Sequence, residues 1–177
     1  VRSKGIKPIA GAEINHVRDS SSHNEHANLT LIAKNQLGYK NLIKLISKSQ
    51  IVGKTSGIPV IETEWLAEYS DGLIALSGGF RGHIGKAVLD SNHDLFLKRI
   101  KYFQKIFKED FILEISRINR PQEDLYNDYI LSKAGELGLP VVASNEVRFI
   151  DKEDYEAHET RVCIQKGEVL SDARRTR

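Results

Sequence analysis

Methionine is absent from this 177-residue chain, cysteine occurs once and proline four times. The lone Cys163 cannot form an internal disulfide and fits no metal-knuckle spacing, so a reduced, packed thiol is expected. No apolar run approaches the roughly 20 residues of a membrane span, and Val1 to Lys7 lacks the apolar core of a signal peptide. A cytoplasmic protein with no membrane partner is the expectation. A dominant charge is also missing. With 26 basic and 24 acidic residues the net charge of +2 gives no whole-surface field for nucleic acid, so any DNA contact is local or lies outside this segment. The opening Val1-Arg2-Ser3-Lys4-Gly5 and the closing Arg174-Arg175-Thr176-Arg177 look unlike natural termini, and the chain reads as a piece of a longer one. The closing basic cluster reads as a solvated, frayed end.

What is present is 40% hydrophobic and 28% charged, enough for one globular unit over residues 1–177. Ile9-Ala10-Gly11-Ala12-Glu13-Ile14 predicts a buried strand whose only charge is Glu13. Asp19 to His26 is polar and predicts a surface loop or hairpin tip, and Leu29 to Ala33 a second strand. Leu42, Leu45 and Ile46 predict a helix from Gln36 to about Ile51. A short helix over Glu62 to Tyr69, with Trp65 and Leu66 inward, precedes the apolar strand Gly72 to Ser77. Phe96, Ile100, Phe103 and Phe107 mark one face of a helix over His93 to Lys108, followed by the strand Phe111 to Ile115. Tyr126, Ile130, Ala134 and Leu137 repeat that spacing from Pro121 to the stop at Gly138. Leu139 to Ala143 reads as a strand continuing through Phe149, after which Asp151 caps a last helix. The alternation argues an α/β fold of largely parallel strands, as a barrel or an open sheet.

In such folds active groups project from the carboxyl ends of strands, which draws attention to Glu13, Glu114, Glu146 and Arg148. A buried carboxylate needs a counter-charge, and Arg148, two residues from Glu146, can supply one. The expectation is a buried ion-pair cluster. His23, His26, His93 and His158 read as solvated or hydrogen-bonding, while His16 and His83 each stand alone. Ser77-Gly78-Gly79 reads as a tight turn, since it lacks phosphate-loop spacing. Neither a G-x-S-x-G elbow nor an H-E-x-x-H helix occurs.

The blocks GIKPIAGAEI, LTLIAKNQLGYKNLIKLIS, DGLIALSGG, LGLPVVASNEVRF and DYEAHETRVCIQKG, in this order, resemble the PHP domain of bacterial DNA polymerase III alpha subunits. The resemblance implies a distorted (β/α)7 barrel, incomplete here, at the start of a long polymerase chain. Metal-binding relatives have glutamate at Glu13, histidine at Asn28, with His26 two residues earlier able to face the same way, and Asp and His at Glu146 and Arg148. The resemblance therefore implies a degenerate site without metal, with Arg148 paired to Glu13 or Glu146. It further implies no catalytic residue in this segment and DNA synthesis, with its Mg cofactor, elsewhere in the full chain. The implied partners are a proofreading exonuclease subunit, other replicase subunits, and DNA through the full-length chain. A metal-dependent phosphoesterase or 3'-5' exonuclease is the alternative.

Overall fold

The structure, a computed structural model, describes residues 2–17, 26–55 and 57–172. The expected loop over Asp19 to Glu25, with His23, and the closing arginine cluster lie outside these residues. Chain contacts divide the molecule into two compact units, residues 1–144 and 145–177.

The first unit holds strands β1 (Gly11–Val17) and β2 (His26–Ala33), helix α1 (Gln36–Ile51), and the short strands β3 (Lys54–Thr55), β4 (Ile58–Pro59) and β5 (Ile61–Glu62). Helix α2 (Thr63–Glu68), β6 (Leu73–Leu76), α3 (His83–Leu89), α4 (His93–Phe107), β7 (Phe111–Ser116), α5 (Glu123–Leu137) and β8 (Val141–Ser144) follow. Six strands form a sheet in the order β5-β1-β2-β6-β7-β8, and β3 pairs with β4 separately. The fold is thus mixed α/β with a parallel-rich sheet that does not close, consistent with a partial PHP barrel. The β6–β7, β7–β8 and β1–β5 pairs are parallel, whereas β2 runs against both β1 and β6. The β1–β2 connection, residues 18–25, is shorter than the dozen or so residues a parallel crossover needs, so a hairpin is the available solution.

The helices follow the apolar spacing. Asn35 caps α1 by accepting from the Gly38 amide at 3.0 Å, and Asn92 caps α4 by accepting from Leu95 at 3.0 Å. Phe96, Ile100, Phe103 and Phe107 are all buried, with Phe103 stacked on Phe111 at 5.2 Å. Leu66 is buried and Trp65 half-buried, while Leu137 stays 38% exposed at the end of α5, where Gly138 turns left-handed (φ 65°). Gly38 approaches the turn before β6 so closely that a Cβ would lie 1.8 Å from Gly72 O.

Two expectations are corrected. His26 begins β2 instead of ending a loop. The last strand stops at Ser144, because its partner β7 ends at Ser116 directly opposite, and residues 145–149 have no ladder to join. In the second unit, Asp151 and Asp154 form a capping box at a single 3-10 turn leading into α6 (Tyr155–Lys166). Phe149 packs there against Tyr155 at 6.0 Å and His158 at 5.6 Å, and Cys163 is buried. Among the described residues no helix is long and apolar enough to cross a membrane.

Candidate functional site

Register in the β1–β2 hairpin sorts side chains by face. Ile14 opposite Leu29 and His16 opposite Ala27 are buried, whereas Glu13 opposite Thr30 and Asn15 opposite Asn28 occupy the other face. There Asn28 Nδ2 donates to Glu13 Oε1. Glu13 is exposed and Asn28 half-buried, which corrects the expectation of a buried carboxylate in need of a cation. Water and an amide satisfy this group without a counter-charge.

The same face continues through the loop after β6 to Glu114 on β7. The Gly78 amide donates to Glu114 Oε2 at 3.1 Å, and the Glu114 amide donates to Ser77 Oγ at 2.9 Å. Gly78 has a left-handed backbone (φ 77°), and a Cβ there would lie 2.1 Å from Asn28 O. The Ser77-Gly78-Gly79 segment is therefore a tight turn wedged between Asn28 and Glu114. Tyr126, donating its hydroxyl to Glu114 O at 2.8 Å, fastens α5 beneath, and burial pushes its phenol far above the usual range.

Glu123 has no role in the sequence reading. It is only 4% exposed, and it accepts from Ser116 Oγ at 2.9 Å, Ile118 N at 2.8 Å and Asn119 N at 2.9 Å. Burial alone would push this carboxyl up, but the hydrogen bonds from Ser116 and from the amides of Ile118, Asn119 and Arg120 outweigh it and hold it below its ordinary value. It thereby shapes the loop after β7, in which Asn119 (φ 65°) and Gln122 (φ 64°) are left-handed. The available signal was an acid in the first turn of a helix just past Pro121.

His16 and His83 do not stand alone. Both are buried with ring centroids 5.1 Å apart, edge to face, and His83 Nε2 lies 3.0 Å from His16 O. Phe103 lies 5.7 Å from His16 and 6.4 Å from His83. His93 meets the Tyr129 hydroxyl at 2.6 Å through Nδ1, in keeping with a hydrogen-bonding role. Among the described residues no three His, Cys, Asp or Glu side chains are arranged to hold a metal ion.

In the second unit Arg148 pairs with Glu146 at 3.4 Å, the partner named second in the sequence reading. The pair is not buried. Arg148 and Glu146 side chains are 50% and 31% exposed, because they follow the end of β8 on irregular chain.

A parallel-rich sheet flanked by helices, with Glu13, Asn28 and Glu114 on one of its faces, defines an α/β protein of the barrel-forming type. Residues 1–118 match the PHP domain model, and the chain belongs to the PHP domain family. It is similar to DNA polymerase III subunit alpha of Vibrio cholerae serotype O1, with 44% identity over 171 residues, covering 97% of this chain and 15% of that protein. The Escherichia coli K12 protein of the same name is 42% identical over 98% of this chain and 15% of its own length. That of Haemophilus influenzae is 41% identical with the same coverage, 98% and 15%. The chain thus spans about 15% of the length of these relatives.

Proposed function

We propose that residues 1–177 are one PHP domain within the catalytic alpha subunit of a bacterial replicative DNA polymerase, a cytoplasmic enzyme of DNA replication. The observation that carries this is identity of 40% or more along 97% of the chain to proteins named DNA polymerase III subunit alpha. Nucleotidyl transfer and its Mg ions belong to residues elsewhere in the full polypeptide. The PHP segment itself is catalytically inactive and serves as a structural domain on which the proofreading exonuclease subunit docks.

The chemistry of the donor set supports inactivity. Asn28 offers Glu13 an amide N–H, and Arg148 offers a permanent cation with no lone pair to give. A divalent ion is held by carboxylates and neutral imidazoles, so neither Asn28 nor Arg148, each taken within its own unit, serves as a ligand. Metal analysis of the purified full-length polypeptide tests the reading. It predicts no stoichiometric zinc or manganese attributable to Glu13, with unchanged metal content in Glu13→Gln. Stoichiometric metal lost in Glu13→Gln, together with phosphodiesterase activity, would establish the phosphoesterase alternative. Docking is tested separately, by co-purification of the exonuclease subunit of the same bacterium with the chain.

A further inference from the structure

Helix α1, QLGYKNLIKLISKSQI, contains three lysines and no acidic residue. Lys40, Lys44 and Lys48 recur at every fourth position, each about 6 Å further along the axis, so they form one shallow spiral track. Lys40 and Lys44 are exposed and Lys48 half-buried. Among the described residues none of the three takes part in an ion pair, although Lys34 pairs with Asp110 at 2.8 Å and Lys133 with Glu136 at 2.7 Å. Aromatic rings on α2 and just after it lie against two of the three lysines. Lys48 Nζ lies 4.5 Å from the Trp65 ring centroid and 5.9 Å from that of Tyr69, and Lys44 Nζ lies 5.2 Å from Tyr69. Helix α5 shows the contrast: EDLYNDYILSKAGEL has four acids, and its single lysine is the paired Lys133.

We propose that the Lys40–Lys44–Lys48 track is a contact for the phosphodiester backbone of DNA. The rings lie beneath the ammonium groups, which leaves them poorly placed to stack bases. Lysine is a mobile point charge suited to phosphate and lacks the planar fork that reads a base edge or clamps a carboxylate. The contact is therefore sequence-independent and its signature is salt dependence. It rests on the polymerase reading only in that DNA is the polyanion supplied.

The test uses the full-length polypeptide and a fluorescent primed duplex, with Kd measured between about 50 and 200 mM salt. Combining Lys40→Gln, Lys44→Gln and Lys48→Gln should lower the slope of log K against log salt by about 2 to 3, and leave kcat at saturating DNA unchanged. The pair Lys40→Gln and Lys44→Gln, which leaves Lys48 on Trp65, should give about two-thirds of that loss even if the triple variant folds poorly. Exposed Lys98, Lys101 and Lys105 on α4, changed together to Gln, should leave the slope unchanged. An unaltered slope in the α1 variants overturns the proposal, as does an equal loss in the α4 control, which would assign the effect to net charge. Retained DNA binding with loss of the exonuclease subunit also overturns it, in favour of an acidic protein partner. The polymerase reading fails on a different result: a wild-type chain that binds DNA and incorporates no nucleotide.

Discussion

Glu13 and Glu123 are both carboxylates next to sheet strands, yet they are held in opposite ways. Glu13 is exposed and accepts an amide N–H from Asn28. Glu123 is buried and gathers a hydroxyl and backbone amides from one loop. The first arrangement orders little that would otherwise be disordered. The second replaces most of the water a carboxylate loses on burial and satisfies the backbone donors of Ile118 and Asn119. The lesson is that the carboxylate most prominent in the resemblance is the less important one for the stability of this segment.

Removing the charge from Glu123 should have the largest effect. Glu123→Gln keeps the shape but puts an amide N–H where a donor already points, and unfolding in urea should show a loss of roughly 3 kcal/mol. A midpoint equal to wild type would mean that water reaches the loop and that the contrast with Glu13 is false. The pH response sharpens the same point. The folded-state carboxyl of Glu123 sits below its unfolded value, so its stabilisation is complete above the ordinary glutamate range and is lost as pH falls from there through the folded value. The wild-type acid limb should therefore be steeper than that of Glu123→Gln, with the two converging at low pH. Parallel limbs from neutral pH to acid would rule out this linkage. Ser116→Ala, which removes one donor and leaves the amides of Ile118 and Asn119 in place, should cost about 1 kcal/mol.

The sequence made the longer helices legible because their apolar spacing is regular: α1 ends where expected, and the four buried residues of α4 are those the pattern marks, whereas α3, two turns long, was not read. Strand direction was less legible. A strand reads the same either way along its neighbours, so the reversal of β2 rests on the length of one connection. The polar positions Glu13, Asn28, Glu146 and Arg148 could be named from the resemblance, but their exposure could not, since burial depends on which strands and loops cover a face. Glu123 and the His16–His83 contact were hidden for another reason. Both are made by residues meeting across the fold or around a left-handed turn, and neither leaves a periodic trace.

The smallest expected effect falls on Glu13. Glu13→Gln keeps an acceptor for the Asn28 amide on an exposed face and should leave the urea midpoint at its wild-type position. The informative variant is Asn28→His, which removes the amide donor and supplies an imidazole two strand positions from the residue opposite Glu13. If the amide at position 28 is what keeps a cation from Glu13, full-length Asn28→His should take up zinc in a titration monitored by calorimetry, and Glu13→Gln in that background should abolish the uptake. No uptake would place the deficit elsewhere in the site and make Glu13 a surface residue of the fold, its retention unconnected with metal.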